Sequence, residues 1–188
     1  GTLSGADITN VEVSCVTGTY TVGGTVTSLA GTGLVLQNNG GDNLAITESG
    51  SFTFSTALED ETDYTITIVS QPTDPNQVCS ITNGVGTVAG ANITDIGVSC
   101  VTSTYTVGGT VTDLVGTGLV LQNNGGDNLP VDSNGSFTFL TALDDGSGYD
   151  VTVSSQPTDP NQVCSVSNGV GTLSGADITN VEVSCVTG

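Results

Sequence analysis

No lysine, arginine or histidine occurs anywhere in the chain, and methionine and tryptophan are also missing. Each absence closes a class of chemistry. Nucleic-acid binding depends on cationic side chains that neutralise phosphates, so it is excluded. Attraction to an anionic membrane surface fails for the same reason. A Walker-type phosphate loop would lack its lysine, and neither a histidine-based triad nor a histidine-ligated zinc site can be built. No apolar run approaches the ~20 residues that span a bilayer, so this segment holds no membrane-inserting helix. The 19 acidic residues are an ordinary share of 188, and the net charge of −19 therefore comes from missing cations rather than excess acid. Salt screens such a polyanion over several ångströms, which makes a saline extracellular setting comfortable for it.

What the chain does contain is repetition. Residues 19–103 and 104–188 align without gaps, and Thr19-Tyr-Thr-Val-Gly-Gly recurs at Thr104. Gln71-Pro-Thr-Asp-Pro-Asn-Gln-Val-Cys79 recurs at Gln156–Cys164, and Gly1–Gly18 matches Gly171–Gly188 letter for letter. The expected organisation is a fragment of a preceding repeat at 1–18, repeat A at 19–103 and repeat B at 104–188. The sequence reads as a piece of a longer array. Near-identical tandem units build length or multivalency more readily than a single active site.

Two-residue alternation of apolar and polar side chains runs through nearly every segment of a repeat. Tyr64, Ile66 and Ile68 alternate with Thr65 and Thr67, and Phe52 and Phe54 with Ser51, Thr53 and Ser55. Turn signals separate these runs at Asn38–Asn43, Ser49-Gly50 and Pro72–Pro75. Gly23-Gly24 interrupts the beat of Tyr20, Val22 and Val26 and suggests a bulge. With no 3.6-residue stripe in the chain, the fold class is all-β, with about seven strands per repeat in tandem immunoglobulin-like sandwiches. Differences between the copies sort by face: Ile in the first copy stands against Val in the second at 46/131, 66/151, 68/153, 81/166 and 96/181, expected inside. Thr65/Asp150, Val69/Ser154 and Gly97/Glu182 change chemistry and are expected outside.

Tyr20-Thr-Val-Gly-Gly-Thr-Val26, Gly50-Ser-Phe-Thr-Phe54 and Tyr64-Thr-Ile-Thr-Ile68 resemble the carboxypeptidase-regulatory-like or transthyretin-like group of immunoglobulin-like sandwiches. That group is common as repeats in bacterial surface proteins. The resemblance covers about the first two-thirds of each repeat and departs at the cysteine-bounded segment. The Lys–Asn isopeptide of related adhesin domains has no lysine here to form it.

Five cysteines fall at 15, 79, 100, 164 and 185. If Cys79 faces Cys100 in a hairpin, the register closes on a two-residue turn at Ala89-Gly90, and in the second copy at Ser174-Gly175. It also sets Ile81 opposite Val98 and Asn83 opposite Ile96. Turn, crosslink and apolar face agree, so disulfides Cys79–Cys100 and Cys164–Cys185 are preferred over free buried thiols, and they imply an oxidising exterior. In this register the leading fragment turns at Ser4-Gly5, with Leu3 opposite Ala6, and supplies only a final strand. Cys15 then has no partner within the chain; its partner belongs to a preceding repeat or to a neighbouring subunit that accepts the strand.

The acidic loops recur at Asp42/Asp127 and Asp74/Asp159, and as Glu59-Asp-Glu61 against Asp144-Asp-Gly146. Their oxygens could hold calcium near domain junctions. Asp in Gly-rich turns more often caps the turn's own backbone, and no calcium-loop motif is present. Carboxylate pairs of the glycosidase kind gather in no evident pocket, so no enzyme is expected and no cofactor beyond such calcium. Asn92 and Asn134 open glycosylation sequons at non-equivalent positions. The function expected from all this is a structural extracellular repeat, an adhesin stalk or surface filament whose partners are further copies in one long chain or a homopolymer. The alternatives are a multivalent module for glycans, ice or another surface ligand, or subunits joined by strand exchange.

Overall fold

The computed structural model describes Gly5 and residues 11–188. Of the turn expected around Ser4-Gly5 only Gly5 is described, at φ +81°; the expected Leu3–Ala6 pair lies outside the described residues. Repeat A contains ten strands: β1 Thr19–Tyr20, β2 Val22–Thr27, β3 Leu34–Asn38, β4 Asp42–Ile46, β5 Gly50–Thr53, β6 Leu58–Glu59, β7 Asp63–Ser70, β8 Gln77–Thr82, β9 Val85–Thr87 and β10 Ile93–Thr102. Seven of them have four residues or more; β1, β6 and β9 are shorter. Repeat B carries the same ten, β11 (Thr104–Tyr105) through β20 (Ile178–Thr187), each displaced by one period.

Each repeat forms two four-stranded sheets, β5-β2-β10-β8 and β4-β3-β7-β9 in A, with β1 and β6 as a separate pair. All pairings within these sheets are antiparallel except one. The first long strand, β2, lies parallel to the last, β10, with Val26 beside Val98. Two parallel strands at the beginning and end of a domain place chain entry and exit at opposite poles. At ~3.3 Å per residue the ten residues of β10 run about 33 Å, enough to carry the chain the length of the sandwich.

Between the sheets sits an apolar core of Val22, Leu34, Leu36, Phe54, Val88, Ile96 and Val98, all at most 2% exposed. The Ile/Val positions 46/131, 66/151 and 96/181 are buried in both copies, and 68/153 and 81/166 are half-buried. Thr65, Asp150, Val69, Ser154 and Glu182 are exposed, while Gly97 is half-buried beneath Thr82. Phe52 and Phe54 meet edge to face at 5.8 Å, as do Phe137 and Phe139.

Two sequence expectations need correction. Gly23-Gly24 is not a bulge; both lie in unbroken β2, and the irregularity falls on β10, between Ile93 and Ile96. The glycines are there because neighbouring strands press close: a Cβ at Gly24 would overlap the Ile96 carbonyl, and one at Gly23 the Phe52 carbonyl. Nor do residues 79–100 form one continuous hairpin. The register holds from Gln77–Thr102 to Thr82–Gly97. Asn83 then takes φ +56°, and the chain crosses to the other sheet, where β9 pairs with β7. Ala89-Gly90 is thus a loop between sheets rather than a two-residue hairpin turn.

Candidate functional site

The place where the two repeats meet gathers side chains from both. Only Ser103 separates β10 from β11. Its backbone is fixed on both sides: the Ser103 amide donates to the Asn76 carbonyl at 2.9 Å, and the Asp145 amide donates to the Ser103 carbonyl at 2.8 Å. Asn76 belongs to the Pro72–Asn76 loop of repeat A, whose Asp74–Pro75 peptide is cis. Asp145 belongs to repeat B, in the turn after β16 (Leu143–Asp144).

Asp145 is the centre of the joint. One carboxylate oxygen accepts from the Asn76 amide of repeat A at 2.6 Å, and the other from the Gly175 amide of its own repeat at 2.8 Å. It is 8% exposed, the one buried acid among the described residues. The amide of Asn76 first, then those of Gly175 and Gly146, hold the carboxyl below its usual range, more than offsetting desolvation. A chain without cationic side chains cannot neutralise a covered acid by a salt bridge. Backbone N–H groups do it instead. Pro75 packs beside Gly146, and the loop is half-buried at Pro75 and Asn76, whereas Pro160 and Asn161 of repeat B are exposed.

Sequence reasoning named Glu59-Asp-Glu61 and Asp144-Asp-Gly146 only as a candidate acidic cluster. The sign that could have separated the middle residue was present. Asp60 and Asp145 are the same in both copies, while the positions on either side change.

The other residues singled out from sequence lie elsewhere. Cys79 is bonded to Cys100 and Cys164 to Cys185, each pair directly opposite in register with Cα atoms 3.9 Å apart. Cys15 is an exposed thiol, and Val11, Val13 and Val16 around it are 74–92% exposed. The position their counterparts occupy in each sandwich is already filled by β10 or β20. Asp42 accepts from the Ser55 hydroxyl at 2.9 Å and the Thr56 amide at 2.8 Å, and the Thr56 amide is the main reason its carboxyl sits below the usual range. Asp127 accepts from the Thr141 amide at 3.1 Å. Asp74 and Asp159 occupy the cis-proline loops with φ +53°. Among the described residues no three acids converge as metal ligands. Asn92 caps the Thr21 amide at 2.9 Å, and Asn134 bonds both the amide and the carbonyl of Leu114.

Comparison with known proteins yields little that bears on chemistry. No protein-family model matches the chain, and no curated protein does. Among solved structures, domains 3–4 of a streptococcal cell surface protein with High Identity Repeats in Tandem (SHIRT) align over 90% of this chain and 99% of theirs, at 16% identity and a TM-score of 0.29. The major pilin protein (T-13) from Streptococcus pyogenes aligns over 92% of this chain and 98% of its own, at 9% identity and a TM-score of 0.31. Identities and scores of this size leave the function to be argued from the residues of the chain itself.

Proposed function

We propose that the chain is a structural, extracellular repeat segment, a semi-rigid stalk or filament in which each sandwich continues the axis of the one before. The observation that carries this reading is the parallel pairing of β2 with β10, which puts entry and exit at opposite poles. A one-residue connector held by hydrogen bonds on both sides, together with the Asp145 bridge, limits bending at the junction. Disulfides in each repeat agree with an oxidising exterior. The reading gives the molecule no catalytic role; its product is length and stiffness.

Small-angle scattering of the oxidised chain tests it. A radius of gyration clearly above the ~16 Å of a compact globule of this length is expected. A value near that of a globule would show the repeats folded back on each other and overturn the rod.

A second reading rests on a different observation. The same open cleft occurs in both repeats, about 290 Å³ beside Asn39, Asp42 and Leu58 and about 370 Å³ beside Asn124, Asp127 and Leu143. Clefts repeated along an array could act together on a multivalent surface ligand such as a glycan. No aromatic side chain lines either one to stack on a sugar. Glycan-array binding that Asp42→Ala and Asp127→Ala abolish together would establish this role beside the structural one.

A further inference from the structure

The joint between A and B uses residues that are present in both repeats, and each repeat therefore carries both halves of it. Repeat B supplies the receiving half around Asp145, and repeat A supplies the inserting half, the Pro72–Asn76 loop. The receiving half of repeat A is already assembled in the same geometry. The Asp60 amide donates to the Gly18 carbonyl at 3.1 Å, as Asp145 does to Ser103 at 2.8 Å. The Gly90 amide donates to an Asp60 oxygen at 2.7 Å, as Gly175 does to Asp145 at 2.8 Å. The Glu61 amide donates to the Val88 carbonyl at 2.9 Å, as Gly146 does to Leu173 at 3.0 Å.

What distinguishes the two acids is the Asn76 donor. Asp145 receives it and is buried; Asp60 has no such partner among the described residues and is half-buried. The inserting half of repeat B shows the complementary difference. Its Asp159–Pro160 peptide is cis with φ +53° at Asp159, matching Asp74–Pro75, yet Pro160 and Asn161 are exposed where Pro75 and Asn76 are half-buried.

We infer that Asp60, Gly90 and Gly18 form a docking site for the Pro-Thr-Asp-Pro-Asn loop of another copy of this repeat, seated immediately before residue 19 in the same polypeptide. The incoming Asn amide donates to the second Asp60 oxygen, and its carbonyl accepts from the Gly18 amide. The final strand of that preceding copy is the segment ending at Gly18, so its cysteine partner for Cys15 travels with it. Asn161 is the matching insert for a following copy. This inference rests on the end-to-end reading proposed above and names the contact that would propagate it.

The test is an extended chain in which residues 104–170 are placed directly before Gly1. Residues 1–18 repeat 171–188, so this writes out one whole further repeat. Hydrogen exchange then compares three equivalent amides: the Asn of the added repeat, Asn76 and Asn161. The added Asn should exchange about ten-fold or more slowly than Asn161 and alongside Asn76. Asp60→Ala should remove that protection while Cys15 stays disulfide-bonded. An added Asn that exchanges as fast as Asn161, with Cys15 bonded, would overturn the docking site and leave end-to-end stringing intact. A Cys15 that remains a free thiol would show that the added repeat does not fold around residues 11–18, and would overturn both.

Discussion

Gln77 and Gln162 are buried amides that hold loops rather than ligands. The Gln77 side-chain oxygen accepts from the Ala30 and Gly31 amides at 2.8 and 2.9 Å, and its nitrogen donates to the Ser28 carbonyl at 2.9 Å. Gln162 makes the same three bonds to Val115, Gly116 and Asp113. Gln71 closes a different gap. Its amide pairs with both the N–H and the C=O of Cys79 on edge strand β8, occupying backbone groups that could otherwise recruit a foreign strand. Gln77→Ala leaves the buried Gly31 amide without its partner, at ~1–3 kcal/mol. Scanning calorimetry should show repeat A melting earlier, and Gln162→Ala should do the same to repeat B. Gly24→Ala is expected to prevent repeat A from folding, because the added methyl meets the Ile96 backbone; near-wild-type melting would refute that. The repeated Gln-Pro-Thr-Asp-Pro-Asn-Gln motif was plain in the sequence, but its role was not. Gln77 and the loop backbone it holds are 46–49 residues apart, and only the folded chain brings them together.

At the level of strands, alternation told which side chains face inward and could not tell which sheet a strand joins. The pairs from Gln77–Thr102 to Thr82–Gly97 follow from the cysteine register. The departure comes at Asn83-Gly84, where a left-handed residue turns the chain away and β9 seats Gly86 opposite Tyr64. A Cβ at Gly86 would overlap the Tyr64 hydroxyl, so the glycine marks this crossing. The period-two pattern of Val85 and Thr87 fits either sheet equally, which is why the longer hairpin was the natural expectation. The crosslinks join partners 21 residues apart, and closing a loop of that size is worth ~3 kcal/mol. Replacing Cys79 and Cys100 together by alanine should therefore lower the stability of repeat A by about that amount in denaturant titration and leave repeat B unchanged. Non-reducing peptide mapping that linked Cys100 to Cys164 would contradict the register and the repeat boundary together.

Across the whole molecule, every acid must find neutral donors, because the chain offers no cationic side chain. Contacts of that kind depend little on screening, so the junction held through Asp145 should keep its protection of the Asn76 amide in strong salt, where ion-paired joints weaken. The same joint should respond to acid. The Asp145 carboxyl is held below its unfolded value by the amides of Asn76, Gly175 and Gly146. A depressed carboxyl binds its proton later than the free group does. Its contribution is thus complete above the ordinary carboxylate pKa of about 4 and is lost as pH falls through the lower value in the joint. The sandwich cores, which are apolar and crosslinked, contain no comparably buried acid among the described residues. Acidification should therefore free the junction before it unfolds the repeats. Hydrogen exchange at the Asn76 amide should accelerate about ten-fold or more relative to core amides of β10, while the scattering profile becomes that of two beads on a hinge. Asp145→Asn should produce this state at neutral pH, since the Asn76 and Gly175 amides use different carboxylate oxygens and the substitution turns one of those two acceptors into an NH2 donor facing a backbone N–H. If the variant keeps both the rod profile and the protection of Asn76, the carboxylate is not what stiffens the joint, and the connector at Ser103 alone must do so.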